Sequence, residues 1–230
     1  MEKQNKKQVT FAFIDATNII YGAHNSGWRM NFQKLYYYLR NRFQCTKILY
    51  YAGVDNDNIK QLRFYEKLQE FGYSLRLVPV KKFRDGKKKA DVDSRMTFEV
   101  MKYFSQYDHV IIMTGDGDFY WVLEYLLQMK ITVKLIAHGN STARELKRLF
   151  GSRFTDLVSL RWMLEETAKK NGTDSKAVSV PRDYGKSISK VKSFVKGDSI
   201  QYPPQTPKTR PSGVRGCKPP DRGKSSSGVK

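Results

Sequence analysis

Twice in this chain an unbroken apolar run ends on an acidic turn. Phe11-Ala12-Phe13-Ile14 leads into Asp15, and Val110-Ile111-Ile112-Met113 leads into Thr114-Gly115-Asp116-Gly117-Asp118-Phe119. A run without polar alternation fits a strand buried on both faces, the kind found in the middle of a parallel sheet. Parallel neighbours cannot be joined by a tight hairpin, so helices must lie between such runs. Short β-rich stretches at 9–15, 47–51, 74–80, 109–113 and 132–137 do alternate with helical candidates at 32–43, 58–71, 92–107, 119–129 and 142–150. In the fourth helix Phe119, Val122, Leu123, Leu126 and Leu127 make one apolar stripe. A strand-like stretch at 155–160 and a helix at 161–167 close the pattern. The expectation is one α/β domain over residues 8–166, a three-layer α/β/α sandwich around a mostly parallel sheet.

Composition changes from about residue 168, where Lys, Ser, Pro and Gly dominate and large apolar residues nearly vanish. Such a segment buries too little surface to offset its ordering entropy, so 168–230 reads as a disordered basic tail. The net charge of +20 spans the whole chain, not one lysine run. A polyanion is the partner this favours, and nucleic acid fits better than an anionic membrane because no basic amphipathic helix stands out. Cys45 and Cys217 are the only cysteines, far apart and without metal-ligand spacing, which argues against a disulfide framework and against zinc. The charged N-terminus lacks the apolar segment of a signal peptide, and no run approaches a membrane span, so the expected location is cytoplasmic.

In open α/β sheets, ligands bind beyond the carboxyl ends of the strands. Asp15 and Asp116 are expected there on neighbouring strands, close enough to share a Mg2+ or Mn2+ ion, which is usually held by one or two carboxylates plus substrate phosphate. The plain alternative for each is a helix N-cap. A third acidic cluster, Asp91-Val92-Asp93, follows the basic loop 81–89. Asp93 lies one turn before Met96 on the stripe Met96, Val100, Phe104 and so faces the sheet, whereas Asp91 suits the N-cap. Glu99 falls off that stripe. Thr142 to Glu145 has the spacing of a capping box, and Ser141 and Thr142 would then sit at a helix N-terminus suited to phosphate. Tyr120 and Trp121 are placed to stack on a base, although core packing suits Trp121 better. His109 and His138 read as strand-edge residues and His24 as part of a loop after Asn18.

The segments Phe13-Ile14-Asp15-Ala16-Thr17-Asn18, Lys89-Ala90-Asp91-Val92-Asp93 and Thr114 to Phe119 resemble, in order and spacing, the NYN domain of the LabA-like group, a branch of the PIN-like nuclease superfamily. The resemblance covers roughly residues 8–160. It implies a PIN-like sandwich and a Mg2+- or Mn2+-dependent nuclease acting on RNA, single-stranded RNA above all. It also implies that Asp15, Asp93 and Asp116 bind metal, that Asp118 completes the set and that Asn18 orients water or phosphate. Lys87, Lys88, Lys89, Ser141 and Thr142 would hold the substrate backbone. A homodimer is an arrangement such domains allow. One departure stands out. Family members often carry a further aspartate about six residues after the middle one, and here Glu99 takes that place; alignment on Asp91 instead would put Thr97 there. Two readings of different class follow: a metal-dependent ribonuclease, favoured by retention of the acids, or an RNA-binding regulatory protein that cuts poorly or not at all. A phosphatase or nucleotidyl-transfer enzyme ranks below both, since neither a P-loop nor a dinucleotide fingerprint is present.

Overall fold

The computed structural model describes residues 8–55, 57–82 and 88–167. The basic tail expected at 168–230 and Lys87 lie outside the described residues.

Six strands form one parallel sheet. They are β1 (Thr10–Asp15), β2 (Cys45–Val54), β3 (Ser74–Pro79), β6 (His109–Met113), β7 (Thr132–Ala137) and β8 (Phe154–Asp156), in the spatial order β3-β2-β1-β6-β7-β8. A two-stranded antiparallel ribbon, β4 (Lys81–Lys82) and β5 (Lys88–Lys89), stands apart from the sheet. The helices are α1 (Ala16–Asn25), α2 (Phe32–Phe43), α3 (Ile59–Phe71), α4 (Val92–Lys102), α5 (Tyr120–Gln128), α6 (Arg144–Phe150) and the short α7 (Arg161–Leu164). The α/β reading from sequence therefore holds, with every pairing in the main sheet parallel.

Alternation along each strand sorts the core into two halves. Ala12, Ile14, Tyr50, Ala52, Ile111 and Met113 pack with residues of α1, α2, α3 and α7 on one face. Phe11, Phe13, Leu49, Tyr51, Val110 and Ile112 pack with α4, α5 and α6 on the other. Both faces of the central strands are thus dry, which is why their sequences show no polar alternation. The predicted α5 stripe is buried at Phe119, Val122, Leu123 and Leu126.

The chain moves outward from β1 through β2 to β3, then returns across the sheet to place β6 on the other side of β1. The order reverses between β1 and β6, and the crevice outside the carboxyl ends at such a reversal is where α/β sheets bind ligands.

Several local expectations are corrected. The segment after Asn18 is not a loop: α1 starts directly after β1, and His24 lies in its last turn. Asp15 both ends the strand and caps the helix, leaving no linker for the sequence to advertise. Strand β2 runs on to Val54, past the predicted end at Tyr51. Helix α4 stops at Lys102 and is followed by a 3-10 turn at Phe104–Gln106, and 155–160 is mostly the 3-10 turn Leu157–Leu160. Trp121 is not a core residue but is 76% exposed. No described helix is long and apolar enough to cross a membrane.

Candidate active site

A cleft of about 530 Å³ opens at the β1/β6 reversal, and Asp15, Asn18, Asp55, Asp93, Asp116 and Ser141 are among the residues lining it. Asp15 is 5% exposed at the end of β1. One of its oxygens accepts the Asn18 backbone N–H at 3.2 Å and the other accepts the Thr114 hydroxyl at 3.0 Å. The N-cap and the cleft acid are therefore the same residue. Burial is the main reason its carboxyl is pushed up to about 6, with the nearby Asp93 and Asp116 charges adding to the effect and the two hydrogen bonds opposing it.

Asp116 repeats the arrangement one strand away. It caps the 3-10 turn Gly117–Phe119, accepting the Asp118 N–H at 3.0 Å, and is half-buried at the cleft. Asp118 itself is exposed on that turn and is not part of the cleft wall. Asp93 arrives from the first turn of α4 and lines the cleft. Asp91 holds the N-cap position without a capping hydrogen bond and is exposed. Of the two acids that sequence left in competition, Asp93 is the one in the cleft.

Asn18 locks these parts together. From the first turn of α1 its Oδ1 accepts the Gly115 N–H at 2.9 Å, tying the helix after β1 to the turn after β6. Glycine is required at 115 by proximity: a Cβ there would stand 2.7 Å from Thr142 Oγ1 and 3.2 Å from Asn18 Oδ1. The β7–α6 loop closes the third side. Thr142 is buried, and its hydroxyl and its N–H both donate to the His138 carbonyl, at 2.7 and 3.0 Å. Those bonds close the turn before the helix begins, so α6 starts only at Arg144, after Ala143, with no side-chain cap. The capping-box expectation at Thr142 is therefore overturned, and Thr142 braces the loop instead of presenting itself to phosphate. Ser141 is exposed at the cleft, with its Oγ 3.1 Å from His138 Nδ1. His138 is not an edge residue: it is buried, its Nε2 lies 2.6 Å from Ser26 Oγ, and Gly22 leaves it room on α1.

Asp55 was not anticipated. It is 3% exposed at the end of β2 and faces the same cleft. The signal was present, since Ile48 to Val54 is another nearly unbroken apolar run ending on an aspartate. Glu99 is neither exposed nor at the cleft. It is buried on α4, where Arg76 Nε (2.7 Å), Arg95 Nε (3.2 Å) and the Tyr51 hydroxyl (3.0 Å) surround it. Glu99, which stands where family members often carry a further aspartate, here belongs to a structural ion-pair cluster. Lys88 and Lys89 form β5, and Val80 and Ala90, which flank the ribbon, line the cleft.

The cleft's charged donors are hard carboxylate oxygens, the set that suits Mg2+ or Mn2+ and not zinc. Among the described residues no group of three or more His, Cys, Asp or Glu side chains is placed to hold a metal ion together. Magnesium keeps several waters and needs only one or two carboxylates, so Asp15 with Asp116 or Asp93 fits it.

The family model for the NYN domain matches residues 10–159 of the chain, from the first residue of β1 into the last 3-10 turn. The chain belongs to the NYN domain family. Its six-stranded parallel sheet between helical layers has the PIN-like fold. Low amplitude and bright protein LabA of Synechococcus elongatus is 27% identical over 177 residues, spanning 74% of this chain and 94% of LabA. The crystal structure of a protein of unknown function from Vibrio parahaemolyticus superposes with a TM-score of 0.59 at 23% identity, covering 68% of this chain and 96% of that one. That likeness extends to the fold alone.

Proposed function

We propose that this NYN domain is a metal-dependent ribonuclease that hydrolyses RNA phosphodiester bonds at Asp15, Asp93 and Asp116. The observation that carries the reading is the meeting of these acids, from three separate elements, in one cleft at the sheet's reversal point. Four aspartates gathered in one cleft of a chain of net charge +20 fit a seat for a cation beside a polyanionic substrate.

In the proposed arrangement Asp15, Asp116 and Asp93 hold Mg2+ or Mn2+. When bound, such an ion neutralises the phosphate and lowers the pKa of a coordinated water. The other residues have positional roles. Asn18 fixes the distance between the β1 and β6 ends through Gly115, and Ser141 supplies a hydroxyl at the rim. Lys87, Lys88 and Lys89, assigned from sequence, hold the RNA backbone, and Asp118 shapes the turn that presents Asp116. The basic segment 168–230 is assigned the part of an electrostatic tether for the same strand.

Incubation of the full chain with single-stranded RNA, with Mn2+ or with EDTA, tests this beside Asp116→Asn. Asparagine keeps an oxygen to accept the Asp118 N–H, so the turn survives while the charge is lost. Cleavage that needs Mn2+ and falls by two orders of magnitude or more (about 3 kcal/mol) in the variant is the expected outcome. Equal cleavage by both proteins contradicts the proposal. RNA binding without cleavage by the wild type would place the chain in the regulatory, non-cutting class.

A further inference from the structure

A second cavity, of about 720 Å³, lies at the opposite edge of the same sheet. Thr10, Thr46, His109 and Thr132, at or beside the first residues of β1, β2, β6 and β7, mark it as the amino edge. Ligand pockets of α/β sheets belong at the other edge, so this one needs its own account.

Its charged side chains are Arg40 and Arg42 from the last turn of α2, Lys134 from β7, and Arg153 from the turn before β8. Among the described residues that line it none is acidic, and none of these four cations makes an ion pair with a described residue. Asp108, next to His109, accepts the Val9 N–H at 3.0 Å and is not part of the lining. Arg42 is close enough to Lys134 to act with burial in holding its ammonium below the usual lysine range. Like charges drawn together at the mouth of a cavity oppose folding unless an anion comes between them.

Helix ends attract three of the four cations individually. The C-terminus of α2 attracts cations, and Arg40 Nη1 donates to the Cys45 carbonyl at 2.7 Å. Arg153 Nη2 likewise donates to the Leu149 carbonyl at 3.5 Å, at the C-terminus of α6. Helix ends do not account for Lys134, which comes from β7, nor for the convergence of cations from two helix ends and a strand on the same space. Arg42 and Arg153 also lie against the rings of Phe43 and Phe150, each 5.9 Å from the centroid, which steadies two guanidinium groups at the rim. Guanidinium forks match phosphate geometry, and the cavity lies within the size range of small-ligand pockets, roughly 300–1,000 Å³. Four cations call for a ligand with several negative charges, not a single carboxylate.

We propose that this amino-edge cavity binds an oligophosphate group, supplied either by a free nucleotide or polyphosphate or by consecutive phosphates of an RNA strand. The site stands independently of any reaction at the carboxyl-edge cleft.

The test uses the full chain in EDTA at fixed salt, with sodium tripolyphosphate titrated by calorimetry and a labelled single-stranded 12-mer RNA followed by anisotropy. Arg42→Gln/Arg153→Gln removes two exposed cations at the rim, and Arg63→Gln/Lys102→Gln removes the same charge elsewhere. Tripolyphosphate affinity should fall at least tenfold in the first variant and stay within twofold in the second. Lys134→Met should independently reproduce the loss, with thermal unfolding confirming that each variant is folded. RNA affinity that falls in parallel, together with displacement of RNA by tripolyphosphate, identifies the RNA backbone as the source. RNA affinity that holds while tripolyphosphate is lost identifies a free oligophosphate. Unchanged tripolyphosphate affinity in Arg42→Gln/Arg153→Gln, or an equal loss in both double variants, overturns the proposal.

Discussion

The carboxyl edge of the sheet gathers Asp15, Asp55, Asp93 and Asp116 around one cleft, and the amino edge gathers Arg40, Arg42, Lys134 and Arg153 around another. Between them, inside the α4 layer, Glu99 meets Arg76 and Arg95. Inside the layer, folding has matched acid to base. At the edges, Asp15 and Asp116 accept from N–H and O–H donors, and Lys134 has Arg42 for a neighbour. Buried ion pairs of the Glu99 kind serve the fold, whereas one-signed clusters cost stability and are explained by what they bind.

Removing Glu99 should cause the largest stability change. Glu99→Ala removes the carboxylate shared by Arg76 and Arg95 and leaves the Tyr51 hydroxyl without that acceptor, so urea unfolding should show a loss of about 3–5 kcal/mol. Cleavage per folded molecule should be unchanged. A change in cleavage with no change in stability would erase the distinction between interior and edge.

Asp15→Asn should act in the opposite sense. The folded carboxyl titrates near 6, above the ordinary 3.8. A raised carboxyl means that the folded state retains its proton longer than the unfolded chain. The penalty is therefore absent below about pH 4, grows as pH rises through the 4–6 window, and is complete above it. The variant should gain up to about 3 kcal/mol at pH 7, less the cost of re-pairing Thr114, and lose that part of the pH dependence. Cleavage should disappear. A variant less stable than wild type at pH 7 would mean that the Asp15 charge supports the fold.

Gly115→Ala tests the bracket between the β1 and β6 ends. A Cβ at 2.7 Å from Thr142 Oγ1 must displace the loop or Asn18, at about 1–3 kcal/mol, and should lower cleavage along with stability. An effect confined to stability would remove Asn18 from the site. Trp121→Ala should leave unfolding unchanged, because the ring is exposed, and should weaken single-stranded RNA binding by about 1–3 kcal/mol if the ring stacks on a base. Unaltered RNA affinity would leave the exposed ring without a role in RNA binding.

The central strands were legible because burial on both faces removes polar alternation, as at Phe11–Ile14 and Val110–Met113. The strand-end acids were legible for the same reason, since a charge that abruptly ends an apolar run can only lie at the edge. Asp55 escaped because Gly53 and the paired tyrosines disguised the continuation of β2. Glu99 and Thr142 escaped for a different reason: their partners, Arg76 and the His138 carbonyl, are set by tertiary contacts that no local pattern encodes. Trp121 was misplaced because an aromatic beside a buried stripe fits the core equally well until the helix phase is fixed. The amino-edge cations come from α2, β7 and the turn before β8, too far apart in sequence to form a motif.

The carboxyl edge is the proposed seat of the metal. Crystals of the full chain soaked in Mn2+ and measured at the manganese absorption edge test this directly. An anomalous peak bounded by Asp15, Asp116 and Asp93, absent from Asp116→Asn crystals, is the predicted result. Manganese-dependent RNA cleavage by a protein whose crystals show no peak in that cleft would contradict it.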